Sequence, residues 1–223
     1  MVTRGKGEGN MKVESKPELG QWYRESRLRI VDLVSAGSED LVVLGTPEWT
    51  VHDVVAHLAG TTEDAVTGNL KGVSTDPWTA AQVERGRSKT LAELIAMWDE
   101  YAPLIEGFLS SPQGGSVYRA VIDVVTHEAD LLNARGRSVD LPGDVLAWAA
   151  DIARRDFAEG VQKSGLPPVD VRTNDFEWFR GRLGRRTEEE VCAYEWSADP
   201  RMYLDQWFIF GRATRSIGER SRN

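Results

Sequence analysis

Apolar positions recur at helical spacing along most of the chain. Between Pro17 and Ala36, Leu19, Trp22, Tyr23, Leu28, Ile30, Leu33 and Val34 form a broad stripe, and Gly37 ends it. The run Leu41-Val42-Val43-Leu44, followed by Gly45-Thr46-Pro47, is too short for a helix and reads as a packed connector. A second helix opens at Thr50, where Asp53 three residues later completes a capping box with Asp in place of the usual Glu. Val51, Val54, Val55 and Leu58 give its buried face, and His57 lies beside them. Gly68 to Trp78 is polar and turn-rich and reads as a loop. Thr90-Leu91-Ala92-Glu93 caps a third helix, with Leu94, Ile95, Trp98, Leu104, Ile105 and Phe108 at helical spacing. After a Pro/Gly loop at Ser110 to Ser116, a fourth helix is expected from Val117 to Ala134, and a fifth, after Pro142, from Gly143 to Lys163.

Gly165-Leu166-Pro167-Pro168 marks the strongest break in this pattern. Beyond it only short elements are expected, including a capping box at Thr187 to Glu190 and an Asp199-Pro200 helix start. Long amphipathic helices with so few strand-like runs predict a mainly all-α protein built on a helical bundle. The expected organisation is a disordered lead-in at 1–16, a bundle at 17–164 and a small region at 165–223. No internal repeat and no Gly-rich phosphate loop is present.

Composition narrows the function classes. The 223 residues carry a formal net charge of −8 and a pI near 5.0. Such a surface repels phosphate backbones and anionic lipid, which argues against nucleic-acid and membrane partners. No stretch approaches the ~20 apolar residues of a membrane span, and the Gly- and charge-rich start is not a signal peptide. Cys192 is the only cysteine. It permits no disulfide within the chain, which fits a cytoplasmic location, and it reads as buried and inert. Eight tryptophans suit a core or an apolar pocket.

The chain has three histidines, His52, His57 and His127. On the fourth helix, Asp123, His127 and Asp130 stand at i, i+4 and i+7 and stack along one stripe. His57, from another helix, would bring a further ligand across the bundle interior. Imidazole and carboxylate together suit a divalent transition metal such as zinc. The same spacing also describes a plain i,i+4 ion pair and a core histidine with a satisfied ring. Asp130 could be a ligand, an acceptor that orients His127, or an acid/base. His52 points about 140° away from His57 around its helix and reads as a surface residue. Glu128 points about 100° from His127 and reads as a surface or loop contact.

These residues lie in two segments that resemble a known family. Trp49-Thr50-Val51-His52-Asp53-Val54-Val55-Ala56-His57-Leu58-Ala59-Gly60, with its Leu-Ala-Gly stop, is similar to the first signature of the mycothiol-dependent maleylpyruvate isomerase family, within the DinB/YfiT-like superfamily. Val125-Thr126-His127-Glu128-Ala129-Asp130-Leu131 resembles its second signature, an acidic-x-x-x-His pair followed by Asp. Phe179-Arg180 through Gly184-Arg185-Arg186-Thr187, then Glu195-Trp196-Ser197-Ala198-Asp199-Pro200, is similar to the tail of actinobacterial members. The resemblance spans about residues 17–218.

It implies a DinB-like four-helix bundle with a smaller, mostly helical C-terminal part. It also implies a divalent ion, usually zinc, held by His57, Asp123 and His127, and mycothiol as cosubstrate. The expected activity is isomerisation or S-transfer on a small electrophile, by a monomer or homodimer. Asp130 would orient His127 or move a proton, and Arg180, Arg182, Arg185 and Arg186 would bind carboxylates of the thiol or substrate. Two departures stand out. Asp123 occupies a position where the isomerase has Glu, and the chain beyond Val171 leaves little room for the isomerase's sheet. A non-catalytic protein that binds a metal or small molecule in the same bundle is the competing reading.

Overall fold

The computed structural model describes residues 12–35, 37 and 39–221. The expected lead-in at 1–16 therefore lies largely outside the described residues. Residues 12–16 have no regular structure, but the Ser15 hydroxyl accepts a hydrogen bond from the Gly115 amide at 2.9 Å. The described residues divide into two compact units, one within 12–137 and the other within 138–221.

The unit at 12–137 holds five α-helices: α1 (Glu18–Ser35), α2 (Val51–Thr67), α3 (Asp76–Gly86), α4 (Leu91–Leu109) and α5 (Arg119–Ala134), with a 3-10 turn at Gly114–Val117. Helix α1 packs on α4 and α5, and α2 packs on the same two from the other side. These four long helices form the bundle. Its core is aliphatic and aromatic, with Leu19, Ile30, Val54, Leu94, Trp98, Val124 and Leu131 all excluded from solvent. The Trp98 indole donates to the Tyr23 hydroxyl at 3.0 Å, and Tyr23 is 2.7 Å from Thr62 Oγ1. Since the Thr62 hydroxyl donates to the Leu58 carbonyl, Tyr23 is the donor to Thr62. Burial pushes the Tyr23 phenol up to about 12, so it remains protonated and structural.

The Thr50–Asp53 and Thr90–Glu93 capping boxes are both formed. The run at 41–44 is a connector, with an isolated bridge between Val42 and Thr50. Two expectations need correction. Helix α2 does not stop at Gly60; it continues to Thr67 and ends at Gly68 in the left-handed conformation, φ 79°. The segment read as a loop at 68–78 ends in a helix, α3, that starts at Asp76 with Pro77 in its first turn and packs on α2.

The second unit contains α6 (Gly143–Lys163), β1 (Val171–Arg172), α7 (Asp175–Arg182), α8 (Glu188–Cys192), β2 (Glu195–Trp196), a 3-10 turn at Pro200–Met202 and α9 (Leu204–Trp207). Helix α6 has the bounds expected from sequence, and it packs on α7 and α9. It is thus grouped with the C-terminal elements in the second compact unit. The strands pair antiparallel, Val171 opposite Trp196, which is the extent of the sheet among the described residues. Phe157, Trp178, Trp196 and Trp207 form an aromatic cluster, with Trp178 and Trp207 at 4.7 Å between centroids. No helix among the described residues is long and apolar enough to cross a membrane.

Candidate metal centre

The cap at Thr50 fixes where α2 begins, and seven residues later the helix presents His57 to the bundle interior. Its neighbour α5 presents Asp123 and His127, one turn apart. Both imidazoles are 5% exposed as residues, whereas the Asp123 side chain is 33% exposed, so the cluster opens to solvent on the carboxylate side. His57 Nε2 lies 3.3 Å from Asp123 Oδ2, and His127 Nε2 lies 3.6 Å from Asp123 Oδ1. One ligand atom from each residue can be chosen so that all three lie within 4.8 Å of one another. Two atoms bound at 2.0–2.1 Å to a tetrahedral zinc ion are about 3.3 Å apart. The two nitrogen–carboxylate separations are close to that edge length, so the donor set fits a small divalent ion in both chemistry and scale.

The far side of each ring is also defined. His57 Nδ1 is 2.9 Å from Gln82 Oε1. His127 Nδ1 is 3.1 Å from Asp130 Oδ2, close in charge terms but outside hydrogen-bond alignment. Asp130 is 1% exposed and sits on the Nδ1 side of His127, opposite the Nε2 that faces Asp123. Asp130 is outside the group of three residues whose ligand atoms converge. Trp49 covers both rings, 5.1 Å from His57 and 6.0 Å from His127 between centroids. Burial works against charging His57, but the Asp123 carboxylate and the hydrogen bonds to Asp123 and Gln82 outweigh it and raise its pKa above the ordinary histidine value.

The other expected residues fall elsewhere. His52 is half-buried, with Nε2 donating to the Lys89 carbonyl at 2.8 Å, and is not a bare surface group. Glu128 is 2% exposed, which corrects its reading as a surface contact. It accepts from Ser26 Oγ at 2.6 Å and from Arg29 Nε and Nη2 at 2.6 and 2.9 Å, tying α5 to α1. The four arginines are neither a solvated face nor an open anion site. Arg180 pairs with Glu219 at 2.7 Å, both side chains fully buried. Arg182 holds Asp156 and the carbonyls of Gln206 and Trp207, Arg185 the Leu183 carbonyl, and Arg186 both Glu177 and Glu219. Binding a ligand carboxylate there requires these internal pairs to open. Cys192 is half-buried, and burial pushes its thiol above the ordinary range, so it stays a thiol. Gln82, on a helix that the periodicity does not reveal, is the contact that residue types alone missed.

The family model of the mycothiol maleylpyruvate isomerase N-terminal domain matches residues 23–132. Over this segment, just under half of its length, the chain is similar to that family. The match runs from Tyr23 in α1 to Leu132 in α5 and so takes in the four bundle helices, α3 and the whole His57–Asp123–His127 cluster. No curated protein and no solved structure matches the chain. Within the matched segment, the stretch around Trp49 supplies the cap, the indole over the rings and one imidazole. The stretch on α5 supplies the carboxylate, the second imidazole and the buried tie to α1.

Proposed function

We propose that this domain binds one divalent metal ion, of the zinc class, through His57, Asp123 and His127, and that the protein is a mycothiol-dependent enzyme acting on a small electrophile by isomerisation or S-transfer. The observation that carries the reading is the convergence of two buried imidazole Nε2 atoms, from different helices, on one half-exposed carboxylate. Three protein ligands leave coordination positions for exchangeable groups, the pattern of catalytic rather than structural zinc. When bound, such an ion supplies Lewis acidity and lowers the pKa of a coordinated thiol so that thiolate is available near neutral pH.

The remaining work belongs to the chain. His57 and His127 would bind as neutral rings, with Gln82 accepting from Nδ1 of the first and the Asp130 carboxylate standing 3.1 Å from Nδ1 of the second. Trp49 walls off one flank of the cluster and keeps water from it, while the exposed edge of Asp123 marks the approach for thiol and electrophile. Cys192 stays protonated and takes no part, so the sulfur nucleophile is the small thiol. The four arginines are left out of this proposal because their contacts are internal.

The test is metal analysis of purified protein with and without His57→Ala, combined with two assays on maleylpyruvate and related α,β-unsaturated acids: mycothiol-dependent isomerisation of the double bond, which returns the thiol, and loss of free mycothiol, which reports S-transfer. Near-stoichiometric zinc-class metal, absent in the variant, with metal-dependent turnover, supports the proposal. Absence of metal from a folded wild-type protein after incubation with Zn²⁺ sinks it. Metal with neither isomerisation nor loss of mycothiol removes the enzymatic half and leaves a metal-binding protein.

A further inference from the structure

The residue that decides which nitrogen His57 offers to an ion is on α3. Gln82 is 1% exposed, and its two amide atoms face opposite demands. On one side stands Asp64, whose Oδ2 is 3.0 Å from Gln82 Nε2. The Asp64 carboxylate also accepts from Arg85 Nη2 at 2.7 Å and from Asn69 Nδ2 at 2.8 Å. Burial alone would raise its pKa, but the hydrogen bonds from Gln82, Arg85 and Asn69 and the Arg85 charge hold it below the ordinary carboxylate range. An ionised carboxylate only accepts. The amide nitrogen of Gln82 must therefore face Asp64, which turns Oε1 toward His57. An amide oxygen also only accepts, so His57 Nδ1, 2.9 Å away, carries the hydrogen. With Nδ1–H pinned in this way, the nitrogen left to offer its lone pair to an ion is the other one. That nitrogen is Nε2, the one that faces Asp123.

The backbone of α2 makes room for this arrangement. A Cβ placed on Gly60 would lie 2.9 Å from Gln82 Cβ, 3.1 Å from its Cγ and 3.4 Å from its Cα. Gly60 is three residues beyond His57, on the same helix face. Its missing side chain is the seat into which Gln82 fits. The glycine of the His57-Leu58-Ala59-Gly60 segment is thus a packing device and not a helix stop.

We propose that Gln82, aimed by Asp64 and Arg85 and seated on Gly60, is the positioning residue that presets His57 as a metal ligand through Nε2. The inference rests on the proposed metal reading for its purpose, but the tautomer itself can be observed without any metal. The experiment is ¹⁵N imidazole NMR on the metal-free protein at a pH where its histidines are neutral, followed by Zn²⁺ titration of the same samples. Wild type is expected to show a proton held on His57 Nδ1 by Gln82 Oε1, whatever state Nε2 takes opposite Asp123. Gln82→Leu, which keeps bulk but removes the acceptor, is expected to lose that preference and to weaken Zn²⁺ binding about 10- to 100-fold. The exchanged pair Gln82→Glu with Asp64→Asn restores an acceptor facing His57 and a donor behind it, and is expected to recover both readouts. A purely structural role would lower thermal stability in Gln82→Leu while leaving the tautomer unchanged.

Wild-type His57 without a proton on Nδ1 overturns the proposal, and that measurement needs no variant to fold. A Gln82→Leu protein with the wild-type tautomer and affinity overturns it as well. Wild type with the expected tautomer and no Zn²⁺ uptake upholds the relay and discards the metal reading, so the two failures are distinct.

Discussion

Gly86, the last residue of α3, gives a quantitative test of how this helix is held against α2. A Cβ at Gly86 would lie 2.4 Å from Ala56 Cβ and 3.3 Å from both Ala56 Cα and Leu94 Cδ2. Carbon atoms rest at about 3.5–4.0 Å, so Gly86→Ala falls short by more than 1 Å against an atom that cannot rotate away. Overpacking of this kind costs about 1–3 kcal/mol. Against it stands the helical preference of Ala over Gly, worth at most about 1 kcal/mol and less at a helix end. The clash wins, and a net loss of about 1–2 kcal/mol is expected, or a fall in Tm of roughly 2–8 °C at 2–4 °C per kcal/mol. Because α3 must retreat from α2 and carries Gln82 with it, Zn²⁺ affinity is expected to fall as well. Urea and thermal unfolding followed by far-UV circular dichroism measure the first effect, and calorimetric titration the second. Ala56→Gly added to Gly86→Ala restores the room, so the pair is expected to be more stable than the sum of its single changes by about 1–3 kcal/mol. A Gly86→Ala protein as stable as wild type, or more so, would refute the reasoning.

Two further predictions concern the C-terminal unit. Glu219→Ala leaves the fully buried Arg180 without the carboxylate it pairs with and removes a partner of Arg186; a loss of about 3–5 kcal/mol is expected in urea unfolding, and a variant within 1 kcal/mol of wild type contradicts it. The Glu177 carboxyl is raised by burial but held below the ordinary glutamate value of 4.5 by the hydrogen bonds and charge of Arg186 and by Tyr194. A group with a depressed folded-state pKa contributes stability that is complete above the unfolded value and is lost as pH falls through the folded one. Stability is therefore expected to decline below about pH 4.5, and more shallowly in Glu177→Gln; identical acid profiles for the two proteins would exclude Glu177 as a source of that decline.

Much of this arrangement is legible in residue order because it depends on neighbours in sequence. The boxes at Thr50, Thr90 and Thr187 each need only a hydroxyl and a carboxylate three residues apart, and all three are formed. The bounds of α6 follow from Pro142 and a long apolar stripe. The Asp123–His127 pair follows from helical pitch, and His57 joins it because α2 and α5 are neighbours in the bundle. Helix α3 escapes notice for a physical reason. It buries only Gln82, Val83 and Gly86, so it has no apolar stripe to read. Gly60 misleads in the same way, since glycine at a close helix contact and glycine at a helix stop look alike until the partner is placed. Glu128 does point away from the His127 face, as the pitch requires, but α1 lies on that side and buries it. The arginine-rich stretch at 180–186 resembles an anion site because two of the three carboxylates that claim it, Asp156 and Glu219, come from distant parts of the chain, while Glu177 lies nearby.

The central claim is that His57, Asp123 and His127 form one metal site. Its most direct measurement is X-ray diffraction at the zinc absorption edge from crystals of the Zn²⁺-loaded protein. One anomalous peak is expected, about 2.0–2.2 Å from His57 Nε2, His127 Nε2 and an Asp123 carboxylate oxygen. A map with full zinc occupancy elsewhere, and no peak among these three residues, would contradict the account.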